Sequence, residues 1–312
     1  VKIVKGLDQK ITGDDAIVLA IGFFDGIHLG HQKIIQQTKD IAREIAASCW
    51  LMSFRPHPAK VLRPNEAPQL ICTRDQKIEL LKKQALDAWL IMPFNRDFST
   101  LSPEAFVDLL HTQIPGLKHV IVGANWHFGY QAKGTPELFK SLAAEYGIQT
   151  TIIDMIEAHE DSISSSSIRE AIRAGDISAA QELLGRPPSL IGPVIHGTKK
   201  GREMGYPTAN IQIENECIPA KGIYAIATEY KGELIGGAGY IGDWSGEQRE
   251  HIGPLFEAHF FKDDLELYGE IIEIQLLKRI RDDKVIESDE ELAKQIASDV
   301  ELAKSAFKNC YH

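Results

Sequence analysis

The sequence predicts two units of different fold class: an α/β unit with a mostly parallel sheet over residues 1–185, then an antiparallel β unit, barrel or sandwich, over 186–312 that ends in a long helix. Three observations carry this. In the first part, short apolar runs alternate with segments of helical period, the pattern of strands joined by crossover helices. After Gly185-Arg186-Pro187-Pro188-Ser189 the texture changes to β-rich runs divided by Gly, Asp and Lys turns, and the paired prolines mark a joint. A length of 312 residues suits about two domains at roughly 150 residues each.

The elements follow in order. Ala16–Ile21 is a short apolar run that reads as a buried strand, and it runs into Gly22-Phe23-Phe24-Asp25-Gly26. Ile34, Thr38, Ile41 and Ile45 recur at helical spacing, giving a helix from about residue 30 to 46. Residues 49–54 read as the next strand, 76–84 as a helix and 89–92 as a strand. Ser102-Pro103-Glu104 marks a helix start, because Ser can cap and Pro suits the first helical position; Phe106, Leu109 and Leu110 form its apolar face. Strands at 120–122 and 151–153 flank a helix at 137–145, and 168–184 is helical with a break near Gly175. Beyond the joint, strands are expected at 191–195, 223–229, 235–241, 256–261 and 271–277. The tail opens with Ser288-Asp289-Glu290-Glu291, of capping-box form, and Leu292, Ile296, Val300 and Ala303 give it one apolar stripe.

Composition removes several function classes. Lys and Arg number 34 against 44 Asp and Glu, a formal charge of -10. Residues 1–185 hold 19 basic and 22 acidic side chains, and 186–312 hold 15 and 22. A chain this acidic lacks the broad basic face of a nucleic-acid binder. No apolar run approaches about 18 residues, so no membrane span is expected. Residues 1–5 offer no apolar targeting stretch, and Cys49, Cys72, Cys217 and Cys310 stand alone with no C-x-x-C pair. A cytoplasmic protein acting on small molecules is expected; a homo-oligomer is compatible with the sequence.

Several segments carry residues suited to chemistry. The sharpest is Gly22 to His31, where the first apolar strand hands over to the first long helix. Ligands of open parallel sheets bind at the carboxyl ends of strands, and a helix N-terminus there offers free N–H groups to phosphate. His28 and His31 lie at that mouth, and Gly22, Gly26 and Gly30, with Phe24 and Asp25 between, let ligand and backbone approach. Two imidazoles there suit oxygens that gain charge during transfer at an α-phosphorus; ordinary loop histidines are the competing reading, and no third ligand suggests a zinc site. Ser165 and Ser166 precede Arg169 at a helix start, a cap or a phosphate clamp. Phe54 and Pro56 in Phe54-Arg55-Pro56-His57-Pro58, and Asn125 and Phe128 in the 123–129 segment, follow strands and offer either core packing or stacking on a flat ring. In the second unit Gly197, Lys199, Gly201 and Arg202 form a basic glycine-rich loop, solvated or polyphosphate-binding; Thr208 and Asn210 offer hard oxygen donors for Mg²⁺, and Glu257, set among aromatics in a strand, is either an outward carboxylate or a general base.

Together GFFDGIHLGH, FRPHP, ISSSSIR, LLGRP, GYPTAN, KGIY, DLELYG and the SDEELAKQIASDVELAK tail resemble, in order and over nearly the whole chain, the bifunctional prokaryotic FAD synthetases. The resemblance implies a Rossmann-like nucleotidyltransferase unit followed by a six-stranded Greek-key barrel. It implies two reactions with ATP: phosphorylation of riboflavin to FMN, with Glu257 as base and Thr208 and Asn210 holding Mg²⁺, and adenylylation of FMN to FAD with release of pyrophosphate. His28, His31, Ser165 and Arg169 match the triphosphate-handling positions of the second reaction, Asn125 lies beside the flavin and nucleotide, and Arg281 falls on the flavin side. Departures are local. Residues 240–246 read Tyr-Ile-Gly-Asp-Trp-Ser-Gly where the family tends to N-I-G-x-x-P-T, Val285-Ile286 replaces the usual Lys-Phe, and Trp126 and His127 stand where Phe and a varied residue are common. The adenylyltransferase motifs are thus nearly intact, and the flavin side of the kinase is altered. Two other functions fit the residues: an adenylyltransferase whose barrel binds flavin without turnover, and a non-enzymatic flavin or nucleotide sensor, which would release no pyrophosphate from ATP and FMN.

Overall fold

Strand β2 (Ile17–Ile21) is buried at every residue, as a central parallel strand covered on both faces must be. The computed structural model describes residues 1–13, 15–154, 157–158, 161–196, 205–242, 255–286 and 288–311. They form two compact units, residues 1–68 with 77–164, and residues 69–76 with 165–312.

In the first unit β1 (Lys2–Lys5), β2, β3 (Ser48–Arg55), β4 (Ala88–Pro93), β5 (Leu117–Gly123) and β6 (Gln149–Ile153) form one parallel sheet in the order β1-β4-β3-β2-β5-β6. The chain winds outward from β2 to β4, then returns to the other side of β2 as β5. The crevice at the carboxyl end of β2 is therefore the topological switch point, where such sheets bind ligands. Helix α1 (Leu29–Glu44) buries Ile35, Thr38, Ile41 and Ala42 on one stripe. Helices α2 (Pro58–Leu62) and α3 (Arg74–Lys82) follow β3, and α4 (Pro103–Gln113) starts as expected, with Ser102 Oγ accepting the Ala105 N–H at 3.2 Å and Pro103 in the first turn. Thr135 caps α5 (Pro136–Glu145) in the same way. A short hairpin, β7 (Glu157–Ala158) and β8 (Asp161–Ser162), closes the unit. The periodicity reading misses β1, an edge strand of only four residues whose side chains are mostly exposed.

The second unit begins with α6 (Ser165–Ala174) and α7 (Ile177–Leu184), and Gly185 ends α7 at φ 70°. Then β9 (Ser189–Ile195), β10 (Ala209–Gln212), β11 (Gly222–Tyr230), β12 (Glu233–Ile241), β13 (Leu255–Phe260) and β14 (Ile271–Asp282) close a six-stranded antiparallel barrel. Around it β14-β11-β12-β13 stand side by side, the Greek-key order in which a fourth strand returns beside the first. This decides the barrel-or-sandwich question, because β10 bridges β9 and β13. The periodicity reading expects no strand at β10, since four residues with Asn among them give little periodic signal. The barrel interior is filled by Val194, Ile211, Tyr224, Ile226, Ile241, Phe256, Phe260 and Ile274.

Helix α8 (Asp289–Tyr311) lies on the outer face of the barrel, where Ala225, Ala227, Leu277, Ala303 and Ala306 pack. A Cβ on Gly236 would meet the Phe307 ring at 2.7 Å, so the close approach of α8 to β12 requires glycine there. Residues 69–76, from the middle of the first half of the sequence, join this unit through backbone contacts no periodicity reveals. Leu70 N–H donates to Glu216 Oε2 at 3.0 Å, Cys217 N–H to Leu70 O at 3.1 Å and Asn215 Nδ2 to Ile71 O at 3.2 Å.

Candidate active sites

The turn from β2 into α1 is built from residues in uncommon conformations. Phe24, Gly26 and Ile27 have φ of 55°, 77° and 44°. A β-branched Ile at positive φ is costly and persists only where its surroundings fix it. Phe24 and Ile27 are fully buried, and Gln32 Nε2 donates to Ile27 O at 3.0 Å. Asp25 is buried in the same turn. The turn delivers His28 as the N-cap of α1, its Nδ1 accepting the His31 N–H at 3.3 Å. The two imidazoles stack at 3.6 Å between centroids, and Phe24 lies against His31 at 5.0 Å. Gly30 allows this: a Cβ there would stand 3.1 Å from the His28 ring. Enclosure, then the neighbouring His28 and Lys77, hold the pKa of His31 well below the usual imidazole value, so it is neutral at neutral pH. Its Nδ1 is enclosed and has no hydrogen-bond partner among the described residues. The result is a fixed imidazole pair, with His31 neutral, at a helix N-terminus on the switch point, where free N–H groups suit phosphate oxygens in general.

Nearby strand ends form a cavity of about 460 Å³. Phe54 from the end of β3, Phe94 and Phe98 after β4, Phe106 from α4, and Trp126 and Phe128 after β5 line it, with Arg63 among the polar residues. Trp126 and Phe128 stack at 4.7 Å and 8°. A Cβ on Gly134 would collide with the Phe128 ring at 2.5 Å, which locks that ring in place. Of the expected flavin residues, Phe54 and Phe128 line the cavity; Pro56, behind the cis Arg55–Pro56 peptide, and Asn125 are exposed and do not. Sequence reading missed Phe94, Phe98 and Arg63, which stand between elements where no pattern marks them, and assigned Phe106 to the core alone.

Ser165 and Ser166 open α6 in the second unit, and Arg169 is buried with its Nε donating to Gln69 O at 2.8 Å. Arg173 Nε reaches Gln69 Oε1 at 3.1 Å, so this helix grips the 69–76 segment.

On the barrel, register brings the other candidates together. Asn210 on β10 stands directly opposite Glu257 on β13, and Glu257 opposite Tyr240 on β12. Directly opposed side chains sit on one face, roughly 5 Å apart at Cβ. Their neighbours Ile211 and Phe256 point into the barrel core, so Tyr240, Glu257 and Asn210 form a row on the outer face. Asn210 is buried, and burial raises the pKa of Glu257. Thr208 lies two residues before Asn210 and lines a second cavity, of about 440 Å³, with Phe260, Leu265, Lys262 and Tyr268. Tyr240, at the family's Asn position, donates to Asp283 Oδ2 at 3.2 Å, and its ring leaves room only for glycine at 242. The loop candidates Gly197, Lys199, Gly201 and Arg202, and residues 243–246 of the altered segment, lie outside the described residues.

Arg281 has a different set of contacts from those expected of a flavin ligand. Its Nε and Nη2 fork onto the carboxylate of Asp299 in α8 at 2.7–3.1 Å, and Gln295 Nε2 donates to the same carboxylate at 2.8 Å. Asp299 is buried, so removing its partner strands a charge. Arg281→Ala is expected to lower unfolding free energy by about 3 kcal/mol, read as a fall in the urea midpoint. A variant of unchanged stability would show that Arg281 is not structural.

The fold and these two constellations define a class: a parallel-sheet unit with a stacked histidine pair at its switch point, followed by a barrel bearing a half-buried carboxylate opposite a buried amide. The family model described as FAD synthetase matches residues 10–167, and that described as riboflavin kinase matches residues 184–307. A bifunctional riboflavin kinase/FMN adenylyltransferase of Bacillus subtilis is 37% identical over 94% of this chain and 93% of its own length. The protein of the same description from Escherichia coli is 30% identical over 98% of both chains. A crystal structure described as a macrolide-efflux protein from Streptococcus pneumoniae has a TM-score of 0.86 and 28% identity, covering 97% of this chain and 99% of that one. Among the described residues no helix is long and apolar enough to cross a membrane. The chain belongs to the bifunctional riboflavin kinase/FMN adenylyltransferase family.

Proposed function

We propose that this chain makes FMN from riboflavin and FAD from FMN, with ATP as donor in both steps. The observation that carries the reading is that one chain holds both constellations, the stacked His28–His31 pair with an aromatic cavity in the same unit and the Glu257–Asn210 pair on the barrel.

In the kinase step the terminal ribityl hydroxyl of riboflavin attacks the γ-phosphorus of ATP, the Pγ–O bond to ADP breaks, and Glu257 takes the hydroxyl proton. A raised pKa suits a carboxylate to that task, because a base matched to working pH transfers protons best. In the adenylylation step a phosphate oxygen of FMN attacks the α-phosphorus of a second ATP and pyrophosphate leaves. No protein nucleophile is needed; His28 and His31 donate to oxygens that gain charge, and α1 adds its N–H groups. Ser165, Ser166 and Arg169 serve the triphosphate, as do Gly22, Phe24, Asp25, Gly26 and Gly30 around the turn. Gly197, Lys199, Gly201 and Arg202 serve the ATP of the kinase. Phe54 and Phe128, with Pro56 and Asn125, serve the flavin of the α/β unit, and the structural ion pair of Arg281 sets the edge of the barrel's flavin side.

Asn210 stands opposite Glu257 on the barrel and Thr208 two residues before it on the chain, and their neutral oxygens with that carboxylate are a hard donor set that would suit Mg²⁺ whose remaining ligands are substrate phosphates and water. When bound, that ion would neutralise charge on the transferring phosphates. The functional boundary is placed at 185/186, the protein in the cytoplasm, and its partners are small molecules, with no nucleic acid.

The pocket assignment has its own test. Trp126→Ala is expected to raise the KM for FMN in FAD formation by about tenfold, since a lost ring stack is worth about 1 kcal/mol or more. An unchanged KM would move the isoalloxazine elsewhere. The reading as a whole is tested by pyrophosphate release: full-length protein with FMN and ATP must release it and form FAD, and a sensor releases none.

A further inference from the structure

Helix α3 carries a buried lysine that no motif marks. Lys77 is only 9% exposed, and its Nζ donates to Phe23 O at 2.5 Å, inside the turn between β2 and α1. The ammonium also sits 5.0 Å from the Phe23 ring centroid and 5.5 Å from that of Trp89. Trp89 is itself fixed, its Nε1 donating to Ser53 Oγ at 2.8 Å. Burying an ammonium is costly, and a carbonyl and two aromatic faces are among the contacts that offset that cost. Its place against the turn in which Phe24, Gly26 and Ile27 all have positive φ puts it where it can hold that turn in shape.

We propose that Lys77 is a positioning residue for adenylyl transfer: its ammonium pins the turn through the Phe23 carbonyl and fixes a positive charge beside the His28–His31 pair. The assignment rests on the proposed FMN adenylylation. It explains two features together. The turn keeps its strained shape because Lys77 holds one side of it while Gln32, through Ile27 O, holds the other. His31 stays neutral first because it is enclosed, and then because His28, from the turn ahead of α1, and Lys77, from α3, both oppose a positive charge on it. Asp25 is the one carboxylate of the turn itself. A lysine suits the position better than an arginine, being a compact point charge with three donors.

The experiment uses the full chain and reads both activities and the histidine. Lys77→Met removes the charge and the donor while keeping an unbranched side chain. In that variant kcat for FAD formation is expected to fall about 10- to 100-fold, the usual cost of misplacing reacting groups through a supporting contact. The KM for FMN stays within about twofold, since the aromatic cavity is untouched, and riboflavin phosphorylation is unchanged. Histidine-selective NMR titration without substrate shows the His31 pKa moving up in Lys77→Met and staying low in Lys77→Arg, which also recovers part of kcat. A folded Lys77→Met with wild-type kcat, or with lost kcat but an unmoved His31 titration, overturns the proposal. Should Lys77→Met fail to fold, Lys77→Gln keeps a neutral donor in the slot, and an unmoved His31 titration in it is equally contrary. Wild-type protein that makes no FAD defeats the functional reading instead, while the titration still tests where Lys77 places its charge.

Discussion

Replacing His31 by alanine is expected to cut kcat for FAD formation by about 10²- to 10³-fold, the cost of removing one preorganised donor from a site of developing charge. The reason is geometric. His31 is half-buried, neutral and stacked on His28, and its enclosed Nδ1 has no partner among the described residues. A donor already fixed in a water-poor site loses nothing to reorganisation when charge appears on the phosphate. Riboflavin phosphorylation in the same preparation should be untouched. Because the His31 pKa is lowered, the folded chain binds fewer protons there than the unfolded chain just below the ordinary imidazole value. Its neutral form therefore favours folding above that value, and the contribution is lost as pH falls toward the depressed folded pKa. His31→Ala should accordingly lose less stability on mild acidification than the parent, by thermal melts at pH 7 and pH 5.5. Equal losses of both activities in folded His31→Ala would remove the two-site assignment.

The second large effect is at Glu257. Glu257→Gln keeps the shape of the row Tyr240–Glu257–Asn210 and removes the base. The kinase step should fall about 10²- to 10⁴-fold, the usual worth of a general base, and FAD formation from supplied FMN should persist. Burial raises the Glu257 pKa, so in the parent enzyme the acid limb of riboflavin phosphorylation is expected above the ordinary carboxylate range. The sign for stability follows. A carboxyl with a raised folded pKa favours folding below its unfolded pKa, and that contribution is lost as pH rises through the folded value. Above that folded value the charged Glu257 is therefore a burden, and Glu257→Gln should melt no lower than the parent while losing kinase activity. A variant that loses the kinase and also melts lower would make Glu257 a structural residue.

Much of this was legible before any coordinates, and the reasons are specific. Strand β2, α1 and the α4 cap announced themselves because apolar period, Ser102 and Pro103 all act locally. The phosphate turn was readable because its glycines and histidines are contiguous. Asn210 and Glu257 are 47 positions apart, and only the β10–β13 register makes them neighbours. Lys77 was hidden for the same reason: in sequence it is one lysine of a helix, and its meaning comes from reaching Phe23, 54 positions away. The aromatic cavity was half visible, because Phe54 and Phe128 sit in motif-like segments while Phe94 and Phe98 follow β4 in an unmarked loop. Arg281 adds a contact that neither periodicity nor resemblance announces, a bidentate pair with Asp299 eighteen positions along the chain.

The most direct measurement follows two labels from riboflavin to product. Full-length protein is incubated with riboflavin, Mg²⁺ and ATP labelled either at the γ- or at the α-phosphate, and the flavins are separated. The bifunctional account predicts FMN bearing the γ label and then FAD bearing both labels, the γ phosphate in its flavin half and the α phosphate in its adenylate half. FAD formed only from added FMN, with no γ label in any flavin, would leave a barrel that binds without turnover. Absence of the α label from every flavin would contradict the assignment of the His28–His31 site.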